Sequence, residues 1–284
     1  MTTIPNTTGV NPPALPVPQP ARDAHIHIID PRFAPATPGA KMAAGATVSD
    51  YRLLQKRIGV SRAVVVQPKC FGTDNACTLD AVRQLGAAGR GIAVVRPEVS
   101  AAELKRLDAG GIRGVRFSVW NPVDTVTTID MIEPLAGRLQ ELGWHAQLHM
   151  SGDQLVANEA LINRLPCPMV FDHMGRMAPA LGVEHPAFAI ICRLIDQGRA
   201  WVKLSGAYLN TAIGGPAYPE ATAIARAFAA YAPERLVWGS DWPHVTEAHK
   251  PDDALLIDLL SVWIEDETAR RRVLVDNPAQ LYGF

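Results

Sequence analysis

The amino-acid sequence predicts an α/β protein that folds as a single-domain (β/α)8 TIM barrel. Segments with the pattern of buried strands alternate with segments of helical periodicity along nearly the whole chain. Such alternation is typical of a parallel sheet, and eight strand–helix units within 284 residues favour a sheet that closes on itself. A doubly wound open sheet would carry a glycine-rich phosphate-binding turn after its first strand. The sequence has no such turn there, so we predict the barrel.

The composition indicates a large buried core and argues against polyanionic partners. Hydrophobic residues make up 48% of the chain and the formal net charge is −1, so no electrostatic case exists for binding nucleic acid or an anionic membrane. No apolar run is long enough to span a bilayer. The four cysteines form no CxxC pair and are interpreted as free thiols of a reducing compartment. We therefore expect a cytoplasmic enzyme with a small-molecule substrate, and homo-oligomer formation is left open.

The first 20 residues differ in composition from the rest of the chain. They contain six prolines, and they lack the basic and apolar segments of a secretory signal. Proline at this density favours an extended conformation. The sequence therefore predicts a proline-rich N-terminal arm over residues 1–20 and a barrel domain over residues 21–284.

The first predicted strand, residues 23–30, carries two histidines two positions apart. Alternate side chains of a strand point to the same face, so His25 and His27 should share one face and Ala24, Ile26 and Ile28 the other. Two imidazoles on one face can bind a metal ion together or can both contact a substrate oxygen. A strand with two hydrogen-bonded, purely structural histidines is the alternative.

The remaining elements follow in order along the chain. A long loop rich in proline and glycine, residues 31–46, separates the first strand from the first helix. Further strands are predicted at residues 63–67, 92–96, 114–118, 145–149, 169–172, 201–205 and 236–239. Helices are predicted at residues 49–58, 76–85, 100–110, 129–142, 154–165, 187–196, 221–231, 252–264 and 267–276. Gly59 ends the first helix, and the capping box from Ser100 to Glu103 begins the third.

Polar residues stand where the predicted strands end. In a barrel of this type the catalytic groups gather at the carboxyl ends of the strands. After the histidine pair, the residues found there are Gln67, Arg96, Arg116, His149, Asp172, His173, Ser205, Ser240 and Asp241. Four of the eight histidines thus lie at strand ends, which predicts an active site at this end of the barrel.

This set of residues resembles the amidohydrolase superfamily of metal-dependent hydrolases. The shared features are the histidine pair on strand one, histidines on strands five and six, and an aspartate after strand eight. Residues 173–176 (His-Met-Gly-Arg), 203–206 (Lys-Leu-Ser-Gly) and 238–244 (Trp-Gly-Ser-Asp-Trp-Pro-His) are similar to the branch that contains the pyrone-dicarboxylate lactonases. The resemblance extends over residues 21–284. It implies a hydrolase that opens the ring of a lactone bearing a carboxylate or sulfonate group.

Hydrolysis of a lactone requires an activated water and a polarised carbonyl group. Asp241 is interpreted as the base that accepts the proton of water and later returns it to the leaving oxygen. A helix-capping role is the alternative for this aspartate. His25, His27 and His173 are interpreted as the groups that polarise the carbonyl, either directly or through a metal ion.

The resemblance also implies one divalent ion, zinc or manganese, held by His25, His27, His149 and Asp241. Members with two metal ions use a bridging lysine at the end of strand four, where this chain has Arg116, so a single ion is expected. The pyrone-dicarboxylate lactonase lacks a strand-five histidine and is thought to act without metal. Metal-independent catalysis therefore stays open, as does a role of His149 in simply filling the barrel.

Six side chains form the predicted substrate site. Arg116 can hold an anionic group through two parallel hydrogen bonds. The other five are Gln67, Lys69, Arg176, Tyr208 and His244. For Arg176, bracing of the loop after His173 is equally compatible with the sequence. For His244, a hydrogen bond to Asp241 and a structural role are the alternatives to substrate binding. Since residues 120–122 and Tyr208 replace basic groups of the dicarboxylate lactonase, a lactone with one anionic group is favoured.

Three other functions compete with the lactonase hypothesis. A zinc-dependent decarboxylase would share the barrel and much of the ligand set, and release of CO₂ would distinguish it. A lactone isomerase is disfavoured because the related galactarolactone isomerase has asparagine in the place of Asp241, and an amide cannot serve as a base. A non-catalytic binding barrel is the third alternative, which an Asp241→Asn variant would test.

Overall fold

The computed structural model describes residues 3–40, 42–123 and 125–284. These residues form eight parallel strands hydrogen-bonded in the order β1 to β8. The strands are β1 Arg22–Ile26, β2 Arg62–Val66, β3 Gly89–Ala93, β4 Ile112–Ser118, β5 His145–His149, β6 Met169–Phe171, β7 Ala200–Leu204 and β8 Leu236–Trp238. Backbone bonds from Asp241 N to His25 O and from His27 N to Trp242 O, both 2.8 Å, join the segment after β8 to β1. The predicted (β/α)8 barrel is therefore confirmed.

Helices occupy the connections between the strands. They are α1 Val48–Ile58, α2 Ala76–Leu85, α3 Ala101–Ala109, α4 Ile132–Glu141, α5 Gly152–Ala157, α6 Glu159–Arg164, α7 Pro186–Asp196, α8 Pro219–Tyr231, α9 Asp253–Trp263, α10 Glu267–Arg271 and α11 Asn277–Tyr282. Within the described parts of the chain, no helix has both the length and the apolar character that crossing a membrane requires.

Local sequence signals explain where several helices begin and end. Thr47 forms a reciprocal capping box with Asp50 at the start of α1, and Gly59 ends that helix at φ 78°. Ser100 accepts the Glu103 N–H at the start of α3. The helix predicted over residues 154–165 is instead two short helices, α5 and α6, because Asn158 departs from helical geometry at φ −114°.

Strand β3 was predicted with the wrong bounds. Its pairing with β2 and β4 runs from Gly89 to Ala93, three residues earlier than the sequence suggested. Arg96 consequently lies beyond the strand and is exposed. The expectation that Arg96 marks the end of strand three is wrong, because the run of valines that suggested a strand continues past the last paired residue.

The barrel interior is apolar toward the amino ends of the strands. We call this set the lower cluster; its members are Ala24, Val64, Val66, Ile92, Val170, Trp201, Val237 and Tyr282. The sequence predicted that Ala24 and His25 would lie on opposite faces of β1. Ala24 instead faces the barrel interior. The pairing register of β1 with β2 shifts between Asp23 and Ile26, which lets both Ala24 and His25 face the interior. Gly239 makes room for His25, since a Cβ there would lie 2.6 Å from the His25 Cβ.

The described part of the N-terminal arm lies against the segment after β8 and the start of α9. The Trp242 indole N–H donates to the Pro5 carbonyl at 3.0 Å. The Thr8 N–H donates to the Pro251 carbonyl at 3.0 Å, and the Leu15 N–H donates to the Asp258 carboxylate at 2.8 Å. The division of the chain into an arm and a barrel domain stays a prediction.

Candidate active site

Four predicted site residues meet at the carboxyl end of the barrel. The Asp241 Oδ1 atom lies 3.4 Å from His25 Nε2, 3.6 Å from His27 Nε2 and 4.0 Å from His173 Nε2. The two Nε2 atoms of His25 and His27 are 3.3 Å apart. All four side chains are buried. The structure thus brings together the imidazoles and the carboxylate that the sequence placed on three separate strand ends.

Backbone conformations at these strand ends are unusual. Asp241 and His244 have φ values of 64° and 53°, and His173 and Met174 have φ values of 50° and 56°. Left-handed conformations of non-glycine residues cost on the order of 1–3 kcal/mol each and persist where the surroundings fix them, often at functional sites. The turns after β6 and β8 are therefore held in place by their contacts rather than by local preference.

Asp23 provides one of those contacts, and sequence reasoning missed it. Its carboxylate accepts from the Ser240 N–H at 2.9 Å and from the Ser240 hydroxyl at 2.6 Å. It also accepts from the Tyr51 hydroxyl at 3.1 Å. Burial raises the pKa of Asp23 to about 6, and these bonds oppose that rise. The residue before Asp241 is thereby fixed to the first strand of the barrel.

The donor atoms of His25, His27 and Asp241 fit one divalent ion. They are 3.3–3.6 Å from one another. Ligands that bind zinc tetrahedrally at about 2.0–2.1 Å are about 3.3–3.4 Å apart, so the spacing matches. Imidazole suits zinc, and a mixed imidazole and carboxylate set also suits manganese.

The hydrogen position on His25 determines whether this cluster needs a cation. His27 Nδ1 lies 2.8 Å from the Val66 carbonyl, which can only accept, so His27 Nε2 presents a lone pair. His25 Nδ1 lies 3.3 Å from Asp172 Oδ1 and 3.4 Å from Lys203 Nζ. If Nδ1–H faces Asp172, two Nε2 lone pairs face each other beside a carboxylate, and a cation between them is required. If Nδ1 accepts from Lys203, His25 Nε2–H donates within the cluster and no cation is required.

A buried charged network lies directly beneath the histidines. We call it the upper network; its members are His25, Arg116, Gln147, Asp172 and Lys203. Lys203 Nζ donates to the Ala24 carbonyl at 2.9 Å and to Gln147 Oε1 at 2.7 Å, and it lies 3.7 Å from Asp172 Oδ1. Arg116 Nε donates to Asp172 Oδ2 at 2.9 Å. Asp172 and Lys203 are completely buried.

Burial and charge set the ionisation of the upper network. Burial lowers the pKa of Lys203 to about 8, although Asp172 opposes the shift. Burial alone would raise the pKa of Asp172, but neighbouring His25, Arg116 and Lys203 hold it well below its usual range. The sequence placed Asp172 at a strand end but gave neither Asp172 nor Lys203 a role in the site. The spacing of residues in β7 could have identified Lys203. Lys203 follows inward-facing Trp201 by two positions, and side chains two positions apart on a strand point to the same face.

Three of the predicted substrate-binding residues line one cleft beside the cluster. The lining residues are Gln67, Lys69, Gly72, Val94, Arg116, Ser118, Thr125, Val126 and Thr127. The Gln67 amide donates to the carbonyls of Gly72 and Asp74, and its oxygen accepts from the Thr78 hydroxyl. The polar atoms of Gln67 therefore shape the loop after β2, and its substrate-binding role stays a prediction.

His149 lies outside the group of donor atoms formed by His25, His27 and Asp241. Its Nδ1 is 2.9 Å from the Ser118 hydroxyl, and its buried Nε2 has no hydrogen-bond partner among the described residues. Its ring packs 5.2 Å from that of His173 and 6.2 Å from the parallel ring of Trp120. The structure thus does not bring His149 into the metal-binding set predicted from the sequence.

Arg176 is half-buried on the turn after β6. Its guanidinium group stacks 4.2 Å from the centre of the Trp120 ring, and burial lowers its pKa to about 10. Trp120 is therefore flanked by Arg176 and His149. Both roles considered for Arg176, substrate contact and bracing of the loop after His173, remain compatible with this position.

Tyr208 and His244 contact Asp241 rather than the cleft. The Tyr208 hydroxyl donates to Asp241 Oδ2 at 2.6 Å and lies 2.9 Å from His244 Nδ1. His244 Nε2 lies 3.2 Å from both carboxylate oxygens of Asp253, a residue that sequence reasoning missed. Burial and the charge of Asp241 raise the pKa of Tyr208 well above its usual value, so the phenol remains a donor.

Comparisons with known proteins place the chain in a family. A family model described as amidohydrolase matches residues 22–284. A 4-sulfomuconolactone hydrolase of Rhizobium radiobacter is 35% identical over 274 residues, covering 94% of this chain and 91% of that protein. A 2-pyrone-4,6-dicarboxylate hydrolase of Comamonas testosteroni is 33% identical over 282 residues, covering 95% and 92%. An Agrobacterium tumefaciens protein solved in an apo crystal structure superposes with a TM-score of 0.90 at 28% identity, covering 98% of both chains.

Proposed function

Because this chain belongs to the amidohydrolase family, we propose that it is a lactonase that hydrolyses a small lactone bearing a carboxylate or sulfonate group. The observation that carries this proposal is the convergence of His25, His27 and His173 on one oxygen of Asp241. A base and several polarising groups at one point are what attack of water on an ester carbonyl requires. The names of the two curated relatives support lactones as the substrate class.

Asp241 is the base in this proposal. Burial alone would raise its pKa, but the three histidines hold it well below the usual range, so the carboxylate is ionised at neutral pH. The oxygen of water bonds to the lactone carbonyl carbon while Asp241 accepts the proton. The ring C–O bond then breaks, the leaving oxygen takes that proton, and the product is the open-chain acid.

His173 is the polarising group nearest the substrate in this proposal. Its Nδ1 lies 2.9 Å from the Ser205 hydroxyl. With Ser205 donating to Nδ1, His173 presents Nε2–H and can donate to the carbonyl oxygen as negative charge develops there. Burial lowers the pKa of His173 to about 4, so the ring is neutral at neutral pH.

We further propose that His25, His27 and Asp241 hold one divalent ion, zinc or manganese. Their spacing supports a single ion, and within the described residues no lysine bridges the cluster, since Lys203 lies beneath His25. When bound, such an ion would supply a Lewis acid that lowers the pKa of water. The metal-free alternative corresponds to the state in which His25 Nδ1 accepts from Lys203.

Arg116 is the proposed anchor for the anionic group of the substrate. One edge of its guanidinium group pairs with Asp172, while the residue also lines the cleft. Lys69 lines the same cleft. A lactone with one anionic group is proposed over a dicarboxylate because residues 120–122 and Tyr208 stand where the dicarboxylate lactonase carries basic groups.

The test is acid release from a panel of lactones, measured at constant pH by titration. The panel contains muconolactone, 4-sulfomuconolactone, 2-pyrone-4,6-dicarboxylate and a sugar-acid lactone. We expect Asp241→Asn to lower kcat/KM by about 1,000-fold or more, because an amide cannot accept the proton. The matched control is Asp196→Asn, an exposed aspartate at the end of α7, which leads into the amino end of β7.

Other outcomes of the same assay identify the competing functions. Release of CO₂ without ring opening would indicate a decarboxylase. Consumption of lactone without release of acid would indicate an isomerase. Full activity of Asp241→Asn would contradict the proposed role of the carboxylate.

A further inference from the structure

The two carboxylate oxygens of Asp241 have different neighbours. Oδ1 faces the three histidines at 3.4–4.0 Å, and Oδ2 accepts the Tyr208 hydroxyl at 2.6 Å. A carboxylate turns freely about its last bond unless one oxygen is held. The bond from Tyr208 to Oδ2 therefore fixes the orientation of the carboxylate, with Oδ1 toward the three histidines.

Tyr208 is itself held by a buried pair. Its ring packs at 80° against that of His244, with 5.5 Å between the ring centres. His244 Nε2 lies 3.2 Å from Asp253, and both side chains are completely buried. Asp253 is the first residue of α9, and its N–H donates to the Thr7 hydroxyl of the N-terminal arm at 3.3 Å.

The number of hydrogens on each group determines which atom donates and which accepts in each of these contacts. The single phenolic hydrogen of Tyr208 is donated to Asp241, the closer acceptor, so the phenolic oxygen is left to accept. His244 Nδ1–H is the group within reach to donate to it. With Nδ1–H donating to Tyr208, the contact between Nε2 and Asp253 requires one further proton, which is carried by Nε2 or by the carboxylate.

All polar atoms of Tyr208 and His244 are thus used within the protein. The hydroxyl and both imidazole nitrogens have partners at 2.6–3.2 Å. The hydrogens of these groups are engaged within the protein, so neither side chain offers a free donor to the anionic or carbonyl oxygens of a lactone. This arrangement argues against the substrate-binding roles predicted from the sequence.

We propose that Tyr208, His244 and Asp253 form a positioning chain that orients Asp241 for the reaction and connects it to α9 and the N-terminal arm. This inference rests on the proposed function, in which Asp241 is the base. The left-handed φ values of Asp241 and His244, and the bond from His244 N to the Asp241 carbonyl at 2.8 Å, hold the two ends of this turn together.

The first test is kinetic, with 4-sulfomuconolactone as the substrate. We expect Tyr208→Phe to lower kcat about 10- to 100-fold, because a small misplacement of a catalytic group has an effect of that size. KM should change by less than about two-fold, since the substrate does not touch the hydroxyl. Tyr231→Phe, which removes an exposed hydroxyl bonded to Asp196, is the matched control. A rise in KM at unchanged kcat would show that Tyr208 binds substrate, and would overturn the proposal.

A double mutant tests whether Asp253 acts through Tyr208. We expect Asp253→Asn to lower kcat, and the double variant Tyr208→Phe/Asp253→Asn to be no less active than Tyr208→Phe alone. Coupling of this kind arises when two residues act along one chain of contacts. Fully additive losses would show that Asp253 acts independently of Tyr208.

The second measurement does not depend on turnover. In protein labelled with ¹⁵N-histidine, the His244 signals are assigned by their loss in His244→Gln. The chain requires a protonated Nδ1 whose resonance shifts in Tyr208→Phe, and an unprotonated Nδ1 would overturn it even in an active lactonase. Conversely, a protonated Nδ1 in a protein that hydrolyses no lactone would refute the proposed function and leave the chain intact.

Discussion

The two ends of the barrel interior are built from different residues. The lower cluster consists of apolar side chains, among them Trp201 and Tyr282. The upper network consists of buried charged and polar groups, among them Asp172 and Lys203. Apolar burial stabilises the fold by about 25 cal/mol per Å² and needs no particular partner. Buried charges stabilise little overall, and each depends on its partners.

This difference indicates that the lower cluster mainly stabilises the fold, whereas the upper network mainly fixes the positions of side chains. The lower cluster tolerates small shifts, because dispersion contacts and the hydrophobic effect are not directional. The upper network fixes positions, because every hydrogen bond in it has a required length and angle. Substitutions should therefore affect mainly stability at the lower end and mainly activity at the upper end.

The largest expected effect is a loss of stability on substitution in the lower cluster. We expect Trp201→Ala to lower the free energy of unfolding by about 3–5 kcal/mol, because a large buried side chain leaves a cavity. Chemical denaturation measures this change, and kcat per folded molecule should stay near that of the wild type. Trp120→Ala, at an exposed tryptophan, is the matched stability control. Loss of activity without loss of stability in Trp201→Ala would contradict the comparison.

Lys203→Met tests the upper network. The variant leaves Asp172 with Arg116 as its remaining fixed cation, so we expect a loss of about 3 kcal/mol in the free energy of unfolding. Activity should also fall, since His25 loses a neighbour that helps to fix its ring. Denaturation and the lactone assay measure the two effects, with exposed Lys105→Met as control. If stability falls while activity per folded molecule is unchanged, the upper network is only structural.

The acid dependence of stability probes a histidine near the lower cluster. Burial lowers the pKa of His145 to about 3, and its ring packs 5.6 Å from that of Tyr282. As pH falls below about 6.5, the unfolded chain binds a proton at this residue while the folded protein does not, so stability falls by up to ~1.4 kcal/mol per pH unit. This loss continues until the folded-state pKa is reached. Denaturation curves between pH 7 and pH 5 should show a shallower decline in His145→Gln, and an unchanged slope would refute the prediction.

The smallest expected effect is on the metal content of His149→Ala, which distinguishes two assignments of the metal ligands. The sequence predicts that His149→Ala empties the metal site, whereas the geometry indicates that metal content stays close to that of the wild type. His27→Ala is the positive control, because it removes a donor atom 3.6 Å from Asp241. Elemental analysis of the purified variants measures the ratio of metal to protein. Loss of metal from His149→Ala would support the ligand set predicted from the sequence, in which His149 is a ligand.

The fold could be predicted from the sequence for a physical reason, and the family from the resemblance of its motifs. Strand and helix periodicity arises from residues close together in the chain, as in α1, which buries Val48, Tyr51, Leu54 and Ile58 at helical spacing. Because parallel strands all end at one edge of a barrel, the convergence of His25, His173 and Asp241 also followed from the order of elements.

Other features depended on contacts between distant segments. The inward turn of His25 arises from a register shift against β2 and from the space left by Gly239. The displacement of His149 from the donor group depends on where its ring meets Trp120 and His173.

The sequence by itself determined the barrel and which strand ends carry the candidate site residues, because both follow from local pattern and chain order, and the resemblance of its motifs indicated the family. Only the tertiary structure decided what those side chains touch. Tyr208 and His244 were predicted as substrate-binding residues and Asp253 was overlooked, yet Tyr208 contacts Asp241 and His244, and His244 contacts Asp253. Hydrogen-bond partners are selected by distances of a few tenths of an ångström between loops, and no local pattern in a single sequence specifies those distances.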